Sequence, residues 1–227
     1  EKNWLPTFAI MDPGTDNVAS NAPYRFCDAL YLANLPGAMI CRWPVYSQDQ
    51  LYNLIGKWQY FNTAVMPGGG PYDIGILVGD EAYDDANDPQ MVNSAVTAIR
   101  AEIDGNGNYV TEFRQSQYPV DSQRSVAASN FTEGKNVLFV PASASGRYWL
   151  GSMFDKTGFS PWNIWMLPTG SYPIMVATTC NSASSERTQD PRYGQAVGTQ
   201  LMSQQYDRGP VIIIGPTQGS DQHADTE

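Results

Sequence analysis

The 227-residue chain is 42% hydrophobic and only 16% charged, with a formal net charge of -10; this excludes a disordered chain and disfavours nucleic acid as a partner. Its apolar runs, such as residues 211–214, are far too short to span a bilayer, so no membrane insertion is expected. Abundant aromatic residues (6 Trp, 13 Tyr, 8 Phe) beside 20 Gly and 16 Pro predict short strands joined by long loops.

In chain order, the apolar stretch from Trp4 to Met11 ends in an Asp12-Pro13-Gly14 turn. Pro23 suits the first position of a helix, and Phe26, Ala29, Leu30 and Ala33 follow at helical spacing until Pro36-Gly37. Ser47 and Gln50 form a capping box that opens a second helix over 48–60, with Leu51, Leu54, Ile55 and Trp58 on its apolar face. Residues 74–78 read as a buried strand, 80–88 as an acidic loop, and Ala95 to Ile103 as either a strand or a short helix. Asp104-Gly105-Asn106-Gly107 reads as a hairpin turn with Tyr109 to Phe113 returning, and 114–135 as a polar loop. Short strands follow at 137–140, 148–150, 164–167, 174–178, 196–202 and 211–214. The expected organisation is one domain over 1–205 and a C-terminal extension over 206–227 with a short strand and a frayed tail.

The residues offer little to catalysis. The single histidine, His223, lies near the end of the chain, so a Ser-His-Asp or Cys-His arrangement and a histidine-based metal site both lack parts. The cysteines Cys27, Cys41 and Cys180 form no C-x-x-C pair; they read as three buried thiols or as one disulfide and a spare thiol. Paired carboxylates for glycoside hydrolysis are available in the 80–88 loop, in Asp12 with Asp16, and in Glu102 with Glu112, but a charge run is more often a solvated face. The 80–88 loop and Asp104 to Asn108 have oxygen ligands suited to calcium; a plain turn is the simpler reading of the second. No cofactor or metal is expected. Asn130-Phe131-Thr132 matches a glycosylation sequon and is read as chance.

Four ordered islands resemble C-type-lectin-like domains, more narrowly the Fibrobacter-type paralogous domain of bacterial surface proteins. They are Asn21 to Leu30, Cys41 to Leu51, Val140 to Ser143 with Arg147 to Ser152 and Trp162 to Leu167, and Asn181 to Arg187 with Tyr193 to Val197. The resemblance implies an α+β, C-type-lectin-like fold, with two early helices packed on small antiparallel sheets and long irregular loops. It also implies a Cys27–Cys180 pair. The calcium-and-sugar motifs of animal lectins are missing, so binding without calcium is expected.

Aromatic rings stack on sugars and anchor protein partners, with polar neighbours fixing orientation. Tyr148, Asp155, Trp162 and Asn163, together with Arg187, Asp190, Arg192 and Tyr193, are therefore the expected binding residues. Trp149 and Trp165 fall in strands and are expected in the core. The sequence reading is thus an exported, cell-surface, adhesin-like module for a glycan or protein ligand, not an enzyme. Its rivals are a structural capsid, pilus or tail subunit that pairs with a neighbour through 211–214, and a carboxylate-dependent glycoside hydrolase.

Overall fold

A computed structural model describes residues 10–11, 19–20, 45, 47–65, 71–81, 88–118, 121–142, 167–178, 201–203 and 205–215. The chain divides into two units, Glu1–Trp43 and Pro44–Glu227. In the first, β1 (Ile10–Met11) pairs antiparallel with β2 (Ala19–Ser20). The helix expected after Pro23 lies outside the described residues.

The second unit is built on β3 (Asp73–Val78), a run of apolar residues buried on both faces apart from Asp73. A strand without polar alternation belongs inside a sheet covered on both sides, which is the environment of parallel strands. β4 (Tyr109–Arg114), β5 (Val137–Val140), β6 (Ile174–Ala177) and β7 (Ile212–Ile214) join it in one sheet of order β4-β3-β5-β6-β7. Every neighbouring pair in it is parallel. This corrects the expected α+β lectin-like fold with small antiparallel sheets: the second unit is an α/β arrangement.

Helices cover the sheet. Leu77, Phe113, Leu138, Val140, Met175 and Ala177 point to one face, where they meet Ala128 and Phe131 of α3 (Asp121–Thr132) and Leu201. Ile76 and Val78 point the other way, onto Val92 and Val96 of α2 (Asp88–Ile103). Alternate residues of β3 therefore feed two separate cores. Gly75 leaves no room for a side chain: an added Cβ would stand 2.7 Å from Leu138 Cδ2 and 2.9 Å from Phe131 Cε1.

α1 (Gln48–Tyr60) starts where the capping box places it, with Ser47 Oγ accepting from the Gln50 amide at 3.2 Å. It continues as a π-helical turn, Phe61–Val65. Of the expected apolar face, Leu54 is buried, Leu51 and Ile55 are half-buried and Trp58 is 39% exposed, while Gln50, Lys57 and Phe61 are buried beside Leu54. Lys57 finds backbone carbonyls there, so hydropathy alone shifted the face.

The 95–103 segment, expected as either a strand or a short helix, is helix, part of α2. Three further expectations change. The 104–107 hairpin is a 3-10 turn ending at Gly107, with φ 71°, and the strand after it runs parallel to β3. The polar loop expected over 114–135 contains α3; its buried residues Arg124, Ala128, Ser129 and Thr132 include a single apolar side chain, so its helical period is faint in hydropathy. Residues 201–203 are helical, not strand. The strands expected at 137–140, 174–178 and 211–214 are β5, β6 and β7. Residues 148–150 and 164–166 lie outside the described residues. No described helix is long and apolar enough to cross a membrane.

Candidate functional site

In open parallel sheets, ligands bind beyond the carboxyl ends of the strands, where the strand order reverses. Here the chain leaves β3 for β4 on one side and returns to β5 on the other, so the reversal lies between β3 and β5. Pairing continues past both strands there. The Gly79 amide donates to the Pro141 carbonyl at 2.9 Å, and Gly79 bridges Ala142.

The next strand end is tied in the same way. The Thr178 amide donates to the Val140 carbonyl at 3.3 Å, and its Oγ1 accepts from the Ala142 amide at 3.3 Å. The chain ends of β5 and β6 are thereby held side by side. Cys180 follows Thr178 by two residues in the sequence. Cys180 is the only cysteine of the second unit; Cys27 and Cys41 belong to the first.

Beside the reversal point, the start of the acidic loop is clasped by cations. Asp80 accepts from the Ser116 amide at 2.9 Å and its hydroxyl at 2.7 Å, and meets Arg114 at 3.4 Å. Arg114 also binds Glu112, and donates to Asn93 at 2.6 Å. Glu81 receives the buried Arg124 guanidinium at 2.8 Å, whose Nε donates to the Tyr118 carbonyl at 3.1 Å. These contacts bind the ends of β3 and β4 to the start of α3. They leave Asp80 and Glu81 as structural partners of arginine, not as a calcium cage, and no cluster of metal-ligating side chains occurs among the described residues. Asp84 and Asp85 lie outside the described residues.

Of the other carboxylate candidates, Glu112 is held by arginines. Glu112 faces Arg100 at 3.5 Å as well as Arg114, and Asp104 meets Arg100 at 3.2 Å. Asn106 donates to the Glu102 carbonyl at 2.8 Å, and Asn108 accepts from the Tyr72 amide at 3.2 Å, so the Asp104–Asn108 stretch serves its own turn. Asp12 and Asp16 lie outside the described residues.

All eight expected binding residues, Tyr148, Asp155, Trp162, Asn163, Arg187, Asp190, Arg192 and Tyr193, lie outside the described residues, as do Cys27, Cys180 and His223. Hydropathy gave no sign of Lys57. Its side chain is fully buried, donating to the Met202 carbonyl at 2.6 Å and the Leu201 carbonyl at 3.3 Å. Burial lowers its pKa to about 7, against the pull of Asp207.

No curated protein and no solved structure matches the chain. The lectin-like resemblance is overturned twice, by the all-parallel sheet and by a match to a different family. The model of Peptidase family C25 covers residues 1–226, and the chain belongs to that family.

Proposed function

We propose that this chain is a cysteine peptidase whose nucleophile is Cys180. Membership of a cysteine-peptidase family overturns the expectation of a non-enzymatic, carbohydrate-binding adhesin, and with it the assembly-subunit and glycosidase alternatives. β7, the segment expected to pair with a neighbouring subunit, pairs with β6 of its own sheet.

What supports the reading is the place of Cys180 in the sequence, two residues after Thr178, where the carboxyl end of β6 is tied to that of β5. A thiolate there would attack the scissile carbonyl, release the amine and leave an acyl-enzyme for water to cleave. The thiol needs a base or a positive field to ionise near neutrality. Arg114 and Arg124, the described cations near this edge, already serve carboxylates.

The test is cleavage of a mixed peptide library, with and without iodoacetamide. Cys180→Ala should abolish cleavage and remove the alkylated site, with the thermal midpoint unchanged. Cleavage that persists in Cys180→Ala would reject this nucleophile.

One observation favours a second reading. Among these 227 residues the only imidazole is His223. A family member that lacks a placed base would bind peptides without cutting them. His223→Ala separates the two: loss of turnover with binding retained assigns it as base, whereas a wild-type protein that binds but never cleaves supports the second reading.

A further inference from the structure

Lys57 and Asn53, one turn apart on α1, reach the same short stretch of chain. Lys57 donates to the carbonyls of Leu201 and Met202, and Asn53 Nδ2 to that of Ser203 at 2.9 Å. That stretch lies late in the β6–β7 connection, which in sequence starts just after Thr178 and includes Cys180. The connection is therefore tied at its start by Thr178 to Ala142 and again at residues 201–203 by α1. The Leu201 carbonyl is hemmed in from the other side by Gly209, where an added Cβ would collide with it.

We propose that Lys57 is a proton-controlled latch: its amine, sealed from solvent, holds residues 201–203 of the β6–β7 connection against α1, and uptake of a proton loosens that hold. The closed state buries the amine where its charge is disfavoured. Opening restores it to water, where it binds a proton more readily, so acidification favours the open state.

Among the described residues, the charged groups that bear on Lys57 are these. Asp207 pulls on the Lys57 charge, but it is itself held by Arg208 at 2.9 and 3.0 Å. Tyr60, Tyr172 and Tyr206 stand about that pair, and burial raises the Tyr172 hydroxyl. With a closed-state pKa of about 7 and an ordinary Lys value of 10.5 when open, the opening equilibrium falls roughly tenfold per pH unit between those limits. The latch does not depend on which residue is the nucleophile.

Peptide-level hydrogen exchange from pH 7.5 to 9, corrected for intrinsic chemistry, tests it on the full chain. The 201–208 segment should open about tenfold less per unit, and should exchange faster than the 137–140 strand, as a sub-global event. Lys57→Met, which keeps the methylene stem, should lose the slope. A flat wild-type profile overturns the latch. So does exchange of 201–208 as slow as 137–140, or a slope that survives in Lys57→Met. If Lys57→Met does not fold, the wild-type slope and the comparison with 137–140 decide.

Discussion

Replacing Asp80 by alanine removes the carboxylate that gathers the Ser116 amide, the Ser116 hydroxyl and the Arg114 guanidinium. Hydrogen bonds to a charged group contribute about 1.5–3 kcal/mol each when buried. Ser116 is exposed, so water takes over part of its bonding, and its two bonds together are worth roughly 2 kcal/mol. The Arg114 contact is long, and Arg114 keeps Glu112 and Asn93, so its loss adds only about 0.5 kcal/mol. Asp80→Ala should therefore destabilise by about 2.5 kcal/mol. Asp80→Asn can still accept from the Ser116 amide and should cost about 1 kcal/mol. Urea unfolding followed by far-UV circular dichroism gives both values, and millimolar calcium should shift neither protein. An Asp80→Ala midpoint equal to wild type would refute the clasp. A calcium-induced gain in wild type that disappears in the variant would restore the cation reading.

Gly75→Ala should lower stability by about 1–3 kcal/mol, because the new methyl overpacks against Leu138 and Phe131; adding Leu138→Val should return part of it in a double-mutant cycle. Gly209→Ala should cost more in the same unfolding assay, since Gly209 has φ 82° and the group in the way is the Leu201 backbone, which cannot rotate aside. Asp207 is held below its ordinary pKa, chiefly by the Arg208 hydrogen bonds, so its stabilising contribution is present above pH 3.8 and fades as pH falls further. The stability gap between wild type and Asp207→Asn should narrow over that acidic range; a constant gap would mean that the carboxylate charge is irrelevant.

The parts of the fold legible in sequence are those with a local cause. Ser47 and Gln50 mark the start of α1, and the apolar runs mark β3, β5, β6 and β7. What escaped is how they pair. β3 shows no polar alternation, and the strands of the sheet are separated by long intervals, from Val78 to Tyr109 and from Arg114 to Val137. Both features suit crossovers between parallel strands better than hairpins. The Asp104-Gly105-Asn106-Gly107 turn chemistry outweighed that spacing, although Tyr109–Arg114 crosses back to lie parallel to β3. At the candidate site, the sequence leaves Cys180 open as a buried thiol or half of a disulfide; what the fold adds is that β6, the strand before it, runs parallel to β5, and strand direction is invisible without pairing. Lys57 is hidden for a related reason: a lysine on an amphipathic helix normally marks the wet face, and only two carbonyls from more than a hundred residues away reverse that.

The strand order also bears on how the chain is made. Within this sheet β3 and β4 are made before β5, so β3 stays open on its other edge until β5 arrives, and β7 at Ile212–Ile214 closes the far side last. Each addition bridges a long stretch of sequence, which slows folding and leaves apolar strand edges waiting. A nascent chain stalled between Ala177 and Ile212 would leave the outer edge of β6, the strand β7 later pairs with, unpaired.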